Sequence, residues 1–212
     1  MNTIIPKPKG NDMAKNSLEA FIEGIRSTWG PLTTEVVERS RAHLVNLVKA
    51  PVTEEWLASL HEAAPAYEEL YRDPTHGFVL LAHTESAGLY RPPHDHGRGW
   101  VIYVLQRGEI EMGSYARITE ADGQIRLVKR DATIVRPGQA MVYLPGDIHD
   151  TRCISGPALL FRFTDRDLKK EDLEEHKVTR YVEMNRIWTV GKTCSITGRA
   201  MNRENIGVIS EA

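Results

Sequence analysis

Cysteine is scarce: the chain has two in 212 residues, Cys153 and Cys194. They lack the CxxC spacing of a zinc knuckle, and two thiols do not make a disulfide framework. The sequence therefore reads as that of a protein from a reducing compartment, the cytoplasm. Long apolar runs are missing too, since none approaches the roughly 18 residues a membrane span needs. The stretch Thr3-Ile4-Ile5-Pro6 is too short for the core of a secretion signal. Charge is nearly balanced at a formal -2, which gives no reason to expect a nucleic-acid or membrane partner. No Gly-x-Ser-x-Gly element is present and no paired carboxylates frame a cleft by motif, so hydrolase chemistry has no anchor. Internal repeats and low-complexity segments are also absent. With 41% hydrophobic and 26% charged residues, the composition is that of one soluble globular domain.

The first third has helical periodicity. Met13 to Trp29 carries Leu18, Phe21, Ile22, Ile25 and Trp29 at spacings of three and four, with Asn16-Ser17 as N-cap and Gly30-Pro31 as stop. Thr34 to Ala50 repeats the pattern, and Thr53-Glu54-Glu55 opens a shorter segment as a capping-box variant. His43 and His61 lie among these helices as surface or packing residues. From about Gly77 the period shortens. Strands are expected at Phe78–Ala82, Trp100–Leu105, Glu109–Tyr115, Ile125–Val128, Ala140–Leu144 and Ala158–Phe163, separated by Gly and Pro turns, as in an antiparallel sandwich or barrel. Leu168 to Glu175 is charged and suits a short helix; the tail with Trp188, Ile196 and Ile206 has no assigned place.

The chemistry concentrates in Gly88-Leu-Tyr-Arg-Pro-Pro-His94-Asp-His96-Gly-Arg-Gly-Trp-Val101. Histidines at i and i+2 on a strand point to one face, so both imidazoles can reach one ion. Neutral imidazole suits Fe, Zn, Cu or Ni, and a third ligand from another strand would complete a facial set with open positions. His83 is a rival ligand or a structural residue of the preceding strand.

The glycine at 88, the pair His94 and His96, and the glycine at 108 resemble the first cupin motif, with Val101 where many cupins carry a glutamate. Gly138-Gln-Ala-Met-Val-Tyr-Leu-Pro145-Gly146-Asp-Ile-His149 resembles the second motif, with one residue fewer between proline and histidine. The resemblance implies a mainly β fold, a cupin double-stranded β-helix (jelly-roll barrel) preceded by N-terminal α-helices, and makes His149 the third ligand. Residues 1–65 would be the helical segment, 66–165 the barrel with its metal site, and 166–212 a C-terminal extension of the same domain.

Within the cupins, the segment from Phe78 to Asp165 resembles the thiol dioxygenases, the cysteine dioxygenase group, through Phe78, His94-Asp95-His96, Gly108, Tyr143, His149 and Pro157-Ala158. That resemblance implies a three-histidine Fe(II) site, with Zn, Ni or Mn as other divalent occupants. There a small thiol and O2 meet and both oxygen atoms end on sulfur. The family's Ser-x-His-x-Tyr set falls here on Leu160, Arg162 and Thr164, and the cysteine that some members crosslink to that tyrosine falls on Val101.

Arg162, facing the barrel, would bind a substrate carboxylate or pair with Asp150 or Asp165. Arg72 matches a family arginine that binds carboxylate only if the loop Asp73 to Gly77 is shortened. Tyr103 would hydrogen-bond a ligand or O2 in place of the missing tyrosine, or fill the core. Arg98, between two glycines, would gate entry or stay solvated, and Trp100 would pack against the helices or shape the mouth. The expected activity is a non-haem Fe(II) dioxygenase oxidising a small mercapto acid. The alternatives are a three-histidine dioxygenase cleaving a C–C bond of a diketone-like substrate, and a non-catalytic cupin binding a small acid. A homo-oligomer is left open.

Overall fold

The computed structural model describes residues 15–184 and 187–191; Cys194, Ile196 and Ile206 lie outside the described residues. Helix α1 (Ser17–Thr28) begins where Asn16 predicts, with the Asn16 side chain accepting from the Glu19 amide and the Glu19 carboxylate accepting from the Asn16 amide. Helix α2 (Thr34–Leu47) is capped by Thr33. Helix α3 (Glu55–Ala63) departs from expectation, because it has no side-chain cap. The Glu54 carboxylate instead accepts from the Ser17 amide (2.9 Å), the Ser17 hydroxyl (2.6 Å) and the Trp56 indole (2.6 Å), tying α3 to the start of α1.

Seven antiparallel strands follow: β1 (Glu68–Arg72), β2 (Val79–Glu85), β3 (Tyr90–His94), β4 (Val101–Thr119), β5 (Ile125–Val135), β6 (Ala140–Tyr143) and β7 (Ile148–Thr164). The two strands expected on either side of Arg107-Gly108 are one strand with a bend. β4 pairs with β7 along its length, and its register shifts between Leu105 and Ile110. Gly108 sits at this bend with φ +84, where a Cβ would fall 2.6 Å from that of Ala158, so only glycine fits. Before the bend β4 also pairs with β6, and after it with β5, while β7 carries β2 on one half and β3 on the other.

The bend folds the sheet onto itself. Val101, Tyr103 and Leu105 from one half of β4 share an apolar cluster with Ile110 and Met112 from the other half, and with Cys153 and Leu160 of β7. The outward residues Ile102, Val104, Phe161 and Phe163 pack with Phe78, Leu80 and the apolar faces of α1 to α3. Trp100 belongs to this outer cluster and stacks on Trp29, which places it against the helices. The result is a jelly-roll barrel preceded by helices. Helix α4 (Leu168–Leu173) then inserts Leu168 into the inner cluster, and β8 (Tyr181–Met184) pairs with β9 (Ile187–Val190). Among the described residues no helix is long and apolar enough to cross a membrane.

Candidate metal centre

His94 is the last residue of β3, whereas His96 lies in the turn beyond it rather than on a strand. The intervening Asp95 explains why the pair still converges. Its Oδ1 accepts from the Gly97 amide at 3.0 Å and the Thr179 amide at 2.8 Å, fixing the turn against the segment that leads to β8. The Asp95 amide donates in return to the Thr179 carbonyl at 3.1 Å. His149, second residue of β7, stands opposite His94 in the ladder.

One nitrogen from each of His94, His96 and His149 lies within 4.8 Å of the others. The Nε2 atoms of His96 and His149 are 3.3 Å apart. Metal–imidazole bonds of about 2.1 Å at angles of 90–109° would set ligand nitrogens about 3.0–3.4 Å apart, so the observed spacing suits one shared ion. The Nδ1–H of His94 donates to the Pro92 carbonyl at 2.9 Å, which leaves its Nε2 lone pair for the site. His96 and His149 are buried and their Nδ1 atoms have no partner among the described residues. Tyr143 stacks on His149 instead, ring centroids 3.9 Å apart. Burial holds all three imidazoles below the ordinary histidine range, His96 and His149 well below it, with neighbouring His94 adding to the effect on both. They are therefore neutral near pH 7, the form that ligates. The donor set fits a divalent metal.

Tyr103 faces inward as its register predicts, and its hydroxyl lies 3.3 Å from His96 Nε2. Opposite it across the β4–β7 ladder is Arg162. Neither carboxylate considered for Arg162 reaches it. Asp150 is taken by the hydroxyls of Tyr90 and Tyr115 and the Gly113 amide, and Asp165 by the Trp100 amide and Arg166. Arg162 Nε is buried with no hydrogen-bond partner among the described residues.

A cavity of about 440 Å³ opens onto His94, His96, Arg162 and Thr164, walled by Tyr67, Val79 and Leu81 and by α4 and the segment after it. Arg72 lines it, but its guanidinium is engaged by Glu69 (2.7 Å) and Asp167 (2.7 Å). Arg180 lines it as well and is paired with Asp172, a contact between segments that no local sequence pattern marks. Arg98 is not among the cavity residues. It turns away onto Glu171 and Glu175 and ties the metal-site turn to α4. Tyr143, treated in the sequence only as a strand position, is the other addition to the site.

No protein-family model matches the chain, and no curated protein is significantly similar to it in sequence. Among solved structures, the Schizosaccharomyces pombe Cnp3 cupin domain is similar at 13% identity and a TM-score of 0.38, over 50% of this chain and 67% of that one. KdgF from a Halomonas species matches at 20% identity and a TM-score of 0.36, over 48% and 80% respectively. Oxalate oxidase in complex with glycolate matches at 18% identity and 0.35, over 47% of this chain and half of its own. Likeness at this level identifies neither family nor activity, so the functional reading rests on the side chains in the barrel.

Proposed function

We propose that the chain is a metal-dependent cupin, a non-haem Fe(II) dioxygenase that converts the thiol of a small mercapto acid to a sulfinate. The observation that carries this reading is the convergence of three neutral imidazoles beside a tyrosine hydroxyl and an arginine with no carboxylate partner among the described residues. His94, His96 and His149 would hold a divalent ion as three neutral ligands, and iron there would supply the redox chemistry for oxidising a thiol with O2. The conversion balances without a further reductant: sulfur gives up four electrons, dioxygen takes four, and both oxygen atoms stay on the product.

The chain's own groups have three tasks. Arg162 donates to the substrate carboxylate and orients the thiol toward the histidines. Tyr103 presents a hydroxyl proton that is free to bond an oxygen of the reacting group once the His96 lone pair is engaged. The apolar inner cluster and the wall formed by α4 keep bulk water away from both. Arg72 and Arg180 carry partners already and shape the cavity's rim.

An oxygen electrode tests the proposal. Protein loaded anaerobically with Fe(II) and given a panel of mercapto acids should consume O2, and labelled O2 should place two heavy atoms in a sulfinate. Consumption only with diketones would assign C–C cleavage instead. Metal retention and ligand-induced thermal stabilisation without turnover would make the chain a binding protein.

A further inference from the structure

His83 has no task in the scheme above, yet its surroundings are unusual. It is 8% exposed and stands on β2 in the same inward row as Val79 and Leu81, both of which line the cavity. In the β2–β7 ladder Leu81 is opposite Arg162 and His83 is opposite Leu160, so His83 and Arg162 are diagonal neighbours on one face. Tyr67, another cavity wall, sets its ring edgewise against the imidazole, with centroids 5.5 Å apart.

The tautomer is fixed by one contact. His83 Nδ1 lies 3.2 Å from the Ala66 carbonyl, and a carbonyl only accepts, so the proton is on Nδ1. Nε2 is left as a bare acceptor, buried and without a donor among the described residues. A buried acceptor without a donor is costly, and such a group calls for a partner supplied from outside the chain. His83 lies one position beyond the cavity-lining Leu81 on that row rather than in the lining itself. Its Nε2, which needs a donor, is neighboured on the same face by Arg162 Nε, which needs an acceptor, and by Glu85 Oε2, which also lacks a partner among the described residues.

We propose that His83 is a further substrate-binding residue, accepting a hydrogen bond from a neutral donor group next to the substrate carboxylate, so that the substrate is a hydroxy-bearing mercapto acid. The inference rests on Arg162 being the carboxylate's partner. The donor is neutral rather than an ammonium because the charges felt at this imidazole are the cations Arg162 and Arg91. Together with burial, which is the larger cause, they push its pKa down to about 3. Arg91 is already paired with Glu85 at 2.9 Å, so Arg162 is the cation that would repel a second positive group.

Anaerobic calorimetry on the metal-loaded protein, which reads binding without turnover, tests this with three probes: 3-mercaptopropanoate, 2-hydroxy-3-mercaptopropanoate and cysteine. The hydroxy acid should bind about three- to tenfold more tightly than the unsubstituted acid. His83→Phe should abolish that difference and leave the unsubstituted acid unaffected, whereas Arg162→Met should weaken both alike. Should His83→Phe not fold, the wild-type protein decides by nitrogen NMR: the His83 Nε2 resonance should move toward its protonated value with the hydroxy acid and not with its parent. Equal binding of the two acids by wild type, both weakened by Arg162→Met, would overturn the role of His83 and leave the carboxylate reading standing. Tighter binding of cysteine than of the hydroxy acid would overturn the neutral donor. Unchanged binding by Arg162→Met, or no binding of either acid by wild type, would remove the carboxylate reading and this inference with it.

Discussion

The ring of Tyr143 lies on the ring of His149, with centroids 3.9 Å apart and planes 26° apart. Tyr143 ends β6 and His149 is the second residue of β7, so the stack bridges the Pro145-Gly146 turn and aims the third imidazole at the other two. Because His149 Nδ1 has no partner among the described residues, the aromatic contact takes over the orienting role that a hydrogen bond commonly fills. Tyr143→Phe should keep the stack and the metal affinity. Tyr143→Ala should weaken metal binding by up to about tenfold, as expected for loss of an aromatic pair, and lower stability by about 3 kcal/mol. Competition with a fluorescent chelator and urea unfolding measure the two effects.

Asp95 couples the metal turn to the chain beyond α4 through two amides on one carboxylate oxygen. Asp95→Ala leaves both amides without that acceptor and should cost about 1–3 kcal/mol. The loosened turn should also release metal faster. Stopped-flow transfer of the ion to an excess of chelator would show the faster release, and an unchanged rate would mean that the turn holds itself.

Tyr103→Phe removes only the hydroxyl next to His96 Nε2. Metal content should be unchanged, while kcat with the best mercapto acid should fall about a hundredfold, the usual effect of losing one donor aimed at developing charge. A variant as active as the wild type would return Tyr103 to the role of core filler.

Buried neutral histidines make stability depend on pH in a fixed direction. The folded pKa of His83 is about 3 against an ordinary value of 6.5 in the unfolded chain. The unfolded state therefore takes up a proton that the folded state refuses. The contribution is complete above pH 6.5 and is lost as pH falls toward 3. At pH 5 His83 alone should cost about 2 kcal/mol relative to pH 7.5. Urea titrations of wild type and His83→Phe at the two values should show a smaller acid loss in the variant.

The ligands were legible because their signal is local. His94 and His96 are two residues apart, and the Pro-Gly turn before His149 marks the strand that presents it. Tyr103 and Arg162 followed from strand alternation, a period of two that holds wherever the strand holds. Arg98 was not legible. Two flanking glycines suggested a free gate, but its partners Glu171 and Glu175 come from a distant charged segment whose docking no local pattern encodes. The bend in β4 was not legible for a related reason, since a Gly at positive φ serves a turn and a bulge equally well. The cap expected for α3 failed because Ser17, far away in sequence, competes for the Glu54 carboxylate.

The most direct test of the metal centre is the metal content of the wild type and of three single variants, His94→Ala, His96→Ala and His149→Ala, after anaerobic loading with Fe(II) and gel filtration. The wild type should retain about one equivalent, and X-ray absorption should place imidazole nitrogens about 2.1 Å from the ion. Each variant should lose most of it, His149→Ala as fully as the other two. Full retention by His149→Ala would contradict a centre built from all three imidazoles.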